Sequence, residues 1–288
     1  MPVDIHRFFL NSPQFKKLEG KDYLLIEYKC PIEIENFQLW IDSHMITYVI
    51  CGKKDWIAPD QMYEINGGDA LFIKKGVYTT KQYFESDYCV VLFLINDDFI
   101  KRFVTENPNL ISKQRPLSPS NSIFRIDVND SFESLVLSVF NYLKQGQSIP
   151  KELVDIKFKE LLFNLILNPK NNRIADFFLD VSQNDKTDLE YTMLKNFRFD
   201  LSMEEFARLS GRSLSTFKRE FTNHFRTTPG KWLNEKRLSH AKSLLINSSL
   251  NINEVCFDCG FKNASHFIRL FKQRFSLPPN QFRQKYSS

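Results

Sequence analysis

The feature that most constrains this chain is an internal repeat. Shifted by 50 positions, the stretch from Leu201 to Phe282 falls on itself. Ser215, Phe217, Arg219, Phe221, Phe225 and Pro229 coincide with Ser265, Phe267, Arg269, Phe271, Phe275 and Pro279. The phenylalanines recur four residues apart, so each set marks one face of a helix, and the repeated arginine lies off that face. Two copies are too few for a solenoid, so the repeat is a module used twice.

A shorter helix precedes each of these. Ser202 with Glu205, and Asn251 with Glu254, have the spacing of a capping box, in which side chain and backbone satisfy each other at a helix start. Gly211 and Gly260 suit a left-handed turn that ends the short helix. Ser213 and Asn263 then cap the next one. Short helix, glycine turn and second helix with exposed cations make a helix-turn-helix, present here twice.

On these residues the chain resembles the DNA-binding region of the AraC/XylS family of bacterial transcription regulators, over roughly residues 186–288. The most specific part runs through Ile252-Asn253-Glu254-Val255-Cys256, Gly260-Phe261, Ser265-His266-Phe267-Ile268-Arg269-Leu270-Phe271-Lys272 and Pro278-Pro279. There are two departures. Phe275 is followed by Ser276-Leu277-Pro278-Pro279 where the family has Gly and then Thr-Pro, which bears on the exit from the helix and not on its DNA face. Cys256 stands where a small Ala is usual. The resemblance implies that Ser215, Lys218 and Arg219 in the first copy, and Ala264, Ser265, His266 and Arg269 in the second, face a DNA major groove. Arg can hold guanine by two hydrogen bonds, and Ser or His can meet several base edges. Lys231, Lys236, Arg237, Lys262, Lys272 and Arg274 are assigned to phosphates or solvent.

Charge supports this division. From Tyr191 onward there are 17 Lys and Arg against 7 Asp and Glu, whereas the remainder has 22 against 27. Positive charge gathered on the repeat is the electrostatic footprint of a nucleic-acid surface. Between the two copies, the helix from Pro229 to about Ile246 is a rod of roughly 25 Å at ~1.5 Å per residue. It can hold two recognition helices near one DNA turn apart, about 34 Å.

Ahead of the repeat, Tyr23–Tyr28, Met45–Ile50, Ala70–Ile73 and Tyr88–Leu94 read as short strands separated by turn signals such as Asn66-Gly67-Gly68-Asp69, which suits a small sandwich or barrel. The resemblance implies a cupin-like sensory domain here, of the branch that contains type III secretion activators. A helix is expected over Asp97–Val104, irregular chain over Asn107–Ser122, and two amphipathic helices over Asp130–Lys144 and Pro150–Leu167. These last two suit either barrel packing or a subunit interface. Asn168–Asp185 reads as the link to the repeat.

The expected fold is therefore α+β. A cupin-like β domain spans residues 1–128, a helical dimerisation pair and linker 129–185, and an all-α double helix-turn-helix domain 186–288. No run of ~18 apolar residues suggests a membrane span. The start lacks the basic and apolar order of a secretory signal. Five scattered cysteines fit a reducing cytoplasm. Cys256-Phe257-Asp258-Cys259 is a Cys-x-x-Cys, but without a second ligand pair it reads as helix packing rather than a zinc site. His44, alone in the strand region, reads as a satisfied structural histidine, and no metal, cofactor or catalytic constellation is expected.

The expected function is a cytoplasmic, sequence-specific transcription regulator, an activator acting as a homodimer on double-stranded promoter DNA and engaging RNA polymerase. A small molecule or protein would act on the N-terminal domain. Two alternatives are a DNA-repair alkyltransferase using Cys30, Cys51 or Cys89, and a regulator working mainly through protein partners.

Overall fold

The computed structural model describes residues 2–29, 34–58, 61–84, 87–110, 121–145, 149–183 and 188–286. Cys30, most of the irregular stretch before Ser122, the turn at 146–148 and the junction at residue 185 lie outside the described residues. The chain divides into two compact units, Val3–Asp185, and Lys186–Ser288 together with Met1–Pro2.

The first unit begins with β1 (Val3–Asp4), α1 (Ile5–Asn11), β2 (Lys17–Glu19), β3 (Tyr23–Lys29), β4 (Asn36–Ile41) and β5 (His44–Cys51). It continues through β6 (Lys53–Ile57), β7 (Met62–Asn66), β8 (Ala70–Ile73), β9 (Gly76–Gln82) and β10 (Cys89–Ile95). Then come α2 (Asp97–Glu106), β11 (Ile123–Ile126), α3 (Asp130–Gln145), α4 (Lys151–Leu167) and α5 (Asn172–Gln183). The strands form a five-stranded sheet ordered β1-β4-β9-β6-β7 and a six-stranded sheet ordered β11-β8-β5-β10-β3-β2.

Every residue of β10 is buried, which explains its unbroken apolar sequence. Val90, Leu92 and Leu94 face the core that also holds Trp56, Tyr63 and Tyr78 of the five-stranded sheet, while Val91, Phe93 and Ile95 face the helices. The expected β-barrel is thus a flattened, two-sheet form with α2–α5 layered on one side. Leu135, Val139, Leu161 and Leu165 are consumed by that helical layer, packed on the six-stranded sheet. The expected link from Asn168 is corrected in part. Its residues 172–183 form α5, because Ile174, Ala175, Phe178 and Leu179 make an apolar stripe that enters the same core. His44 is fully satisfied: its Nε2 donates to Asp97 Oδ1 at 2.8 Å, and its Nδ1 accepts from the Lys75 backbone N–H at 3.1 Å.

The second unit is all helical: α6 (Leu189–Asn196), α7 (Met203–Leu209), α8 (Leu214–Phe225), α9 (Pro229–Asn247), α10 (Ile252–Asp258), α11 (Ala264–Phe275) and α12 (Pro279–Tyr286). The 19 residues of α9 span about 28 Å. Among the described residues no helix is long and apolar enough to cross a membrane.

Candidate nucleic-acid interface

Both capping boxes are made. In the first, the Ser202 N–H donates to Glu205 Oε2 at 2.6 Å and the Glu205 N–H to Ser202 Oγ at 3.2 Å. In the second, the Asn251 N–H donates to Glu254 Oε2 at 2.6 Å and the Glu254 N–H to Asn251 Oδ1 at 3.0 Å. Gly211 and Gly260 turn the chain at φ of 68° and 80°. A side chain at Gly260 would also meet the Arg198 carbonyl oxygen 2.6 Å from its Cβ, so close packing as well as backbone conformation demands glycine there. Ser213 accepts from the Thr216 N–H and Asn263 from the His266 N–H, starting α8 and α11.

The buried faces of the two modules match. Phe217 and Phe221 are fully buried, as are Phe267 and Phe271. Phe225 and Trp232 close the first cluster, with Phe221–Phe225 centroids 4.4 Å apart; Phe275 and Phe282 close the second, with Phe271–Phe275 at 4.6 Å. Leu238, Ala241 and Leu245 of α9 pack on α10 and α11. Cys256 and Cys259 belong to that core, and burial pushes both thiols up, Cys259 to about 12, so they are packing residues. Ser276, in place of the family's glycine, still adopts the left-handed conformation at φ 65°, as Arg226 does at φ 55° in the first module. The exit from the helix is therefore the same in both.

Opposite the phenylalanines lie the candidate readers. Ser215, Lys218, Arg219 and Thr222 are exposed along α8 at spacings of three, four and seven residues. Ser265, Ile268, Arg269 and Lys272 occupy the same places on α11 and are exposed. Lys218, Arg219 and Arg269 make no hydrogen bond or ion pair with any described residue, which leaves their donors open. His266 is exposed beside Phe261, with ring centroids 6.4 Å apart. Ala264 is half-buried against the core. Thr222 and Ile268 share this face without having been singled out in the sequence; the heptad spacing from Ser215 and the superposition on Lys218 were the signals.

The six candidate phosphate contacts divide. Lys231 and Lys272 are exposed, and Lys236 is exposed with its Nζ 5.2 Å from the Trp232 ring centroid. Lys262 pairs with Asp200 at 3.2 Å and Arg274 with Glu235 at 2.8 Å, exposed ion pairs that water and phosphate can compete for. Arg237 is corrected. It is buried, and its guanidinium donates to the Phe197 carbonyl at 2.7 Å and the Phe199 carbonyl at 2.6 Å. Burial pushes it down to about 10. It braces α9 against the strap before α7 and is not available to a phosphate.

A second brace lies beside it. Asp258 of α10 accepts from Arg198 at 2.6 Å and lies 3.3 Å from His240 Nε2 of α9. The His240 hydrogen bond and the Arg198 charge hold its carboxyl below the ordinary carboxylate range. These ties connect the segment before the first module, the central rod and the second module.

In the first unit, Cys89 is buried and burial raises its thiol pKa, the opposite of an activated nucleophile, while Cys51 is exposed with its Sγ 3.5 Å from the Asp87 carbonyl. Among the described residues no three His, Cys, Asp or Glu side chains gather in a metal-binding cluster.

Comparison with known proteins agrees with this arrangement. Residues 44–177 match the ExsA N-terminal regulatory domain, and residues 206–285 match a helix-turn-helix domain. The chain is 23% identical over 234 residues to the virulence regulon transcriptional activator VirF of Yersinia enterocolitica, covering 81% of this chain and 86% of that one. It is 24% identical over 259 residues to the HTH-type transcriptional regulator ExsA of Pseudomonas aeruginosa, covering 88% and 91%. To the HTH-type transcriptional activator RhaS of Escherichia fergusonii it is 27% identical over 249 residues, covering 84% and 86%.

Proposed function

Because the chain belongs to the AraC/XylS family of DNA-binding transcription regulators, we propose that it is a cytoplasmic activator that reads two successive major grooves of promoter DNA, one with α8 and one with α11. Arg219 and Arg269 read base edges, with Ser215, Lys218, Ser265 and His266 beside them. Ala264 lies against the groove wall. Lys231, Lys236, Lys262, Lys272 and Arg274 hold phosphates, positioning the modules without selecting sequence. The observation that carries this reading is the pair Arg219 and Arg269, exposed and unpaired at equivalent places on equally built helices.

RNA polymerase is the proposed partner at the promoter, and the sheet-rich unit receives a small-molecule or protein effector. Leu137 and Ile156, 42% and 59% exposed on α3 and α4, support a homodimer through those helices. Cys89, buried and raised in pKa, argues against the alkyltransferase alternative. Selection of the full chain on a randomised duplex library at two salt concentrations tests the proposal. A two-part motif is expected, and Arg219→Ala or Arg269→Ala should each relax one part at a cost of about 1–3 kcal/mol. If neither variant changes the preferred bases, these arginines are positioning groups and the assignment fails.

A further inference from the structure

On the outward faces of the two recognition helices a cation gives way to an apolar side chain at one position. Ile268 of α11 stands where α8 has Lys218, and it is 37% exposed on an otherwise polar face. A single exposed isoleucine is ordinary on a protein surface. Its place is what matters: early in the helix, where helix-turn-helix proteins meet base edges, next to Arg269 and one turn after Ala264. Ala264 and Ile268, four residues apart, form a short apolar strip down one flank of α11. Lysine has not vanished from the helix but sits one turn further on, at Lys272, opposite Thr222 of the first module.

We infer that Ile268 is a specificity determinant of the second module that reads a thymine methyl group in the major groove, with Ala264 supporting the contact. The C5-methyl of thymine is the one apolar feature that the major-groove edge presents, and aliphatic side chains are its complement. An isoleucine cannot compensate for the desolvation of a guanine O6 or N7 or a cytosine amino group, so the same contact disfavours those bases. Lys218, at the equivalent position, donates to guanine acceptors instead. The two modules consequently select different half-sites although they share one architecture. This inference rests on the DNA-binding reading above and deepens it from groove occupancy to base identity.

The test replaces thymine by deoxyuridine, one position at a time, in the duplex that the full chain selects from a randomised library. This change removes one methyl group and leaves every hydrogen-bonding edge intact. Wild-type protein should lose affinity about fourfold at a single thymine in one half-site, the loss corresponding to one buried methyl group. Ile268→Ala should lose about as much on the thymine duplex and show no further loss with deoxyuridine, with its thermal melting curve unchanged. Ile268→Lys should shift the preference at that base pair from thymine towards guanine. Deoxyuridine substitutions that are silent everywhere, or an effect that persists in Ile268→Ala, overturn the inference. A full chain that enriches no sequence at all is a different failure and removes the DNA-binding reading itself.

Discussion

On its outward face α8 presents Ser215, Lys218, Arg219 and Thr222, whereas α11 presents Ser265, Ile268, Arg269 and Lys272. Inward, both helices bury the same phenylalanines at the same spacing, behind the same kind of capping box and glycine turn. Serine and arginine are held in common on the outside; lysine moves by one turn and an isoleucine takes its place. Residues that repeat inside are therefore those that the architecture needs, and residues that differ outside are those through which the half-sites can differ. The braces are not duplicated either. Asp258, which ties α10 to Arg198 and His240, corresponds to Leu209 in α7 when the capping boxes are aligned.

If the interiors are equivalent, damaging them should cost the same. Phe221→Ala and Phe271→Ala should each destabilise their module by about 3–5 kcal/mol, measured by native-state hydrogen exchange of each module in the full chain. A difference beyond ~2 kcal/mol, larger than relaxation around an otherwise equal cavity explains, breaks the equivalence. Arg237→Met comes next, at about 2–3 kcal/mol, because two half-buried carbonyls lose charge-assisted donors. The salt dependence of DNA affinity should stay as it is in the wild type, since this arginine reaches no phosphate.

Much of the C-terminal unit was legible because each of its devices is local. Caps, turns and helix faces are written within a few residues of one another, and the repeat supplied a second reading of each. Arg237 was illegible for the opposite reason. Its acceptors, the Phe197 and Phe199 carbonyls, lie about forty residues away, and an arginine bound to a carbonyl looks the same in sequence as one bound to phosphate. In the sheet-rich unit, β3, β5, β8 and β10 stood out as apolar runs, whereas β6 begins Lys53-Lys54-Asp55 and hides from any hydrophobic pattern. Lys54 is nevertheless buried, with its Nζ 4.7 Å from the Phe37 ring centroid and 5.1 Å from that of Tyr88. Rings from distant strands receive that charge, and sequence order does not show them. α5 was missed because its polar end at Ser182-Gln183 outweighed the stripe through Ile174 and Phe178.

Smaller effects separate holding from reading. Lys236→Ala and Lys272→Ala should weaken binding to all sequences alike and each reduce the slope of log affinity against log salt by about one unit. Sequence preference should not move. The smallest effect expected is acid sensitivity confined to the second module. The Asp258 carboxyl has a folded pKa below its unfolded value near 4, so its stabilisation is present above that pH and is lost as pH falls through the folded value. Asp258→Asn should flatten the acid-side decline of the second module in a pH series of hydrogen exchange and leave the first module's decline as it was. Equal flattening in both would show that the brace serves the unit as a whole.

The most direct measurement is missing-nucleoside interference with the full chain on its selected duplex, which reports every base whose removal weakens binding. Two clusters centred about 10 base pairs apart, on one face of the DNA, are the result expected of two recognition helices in successive major grooves. A single cluster, or two clusters half a helical turn out of phase, would contradict a protein that reads DNA with both of its modules.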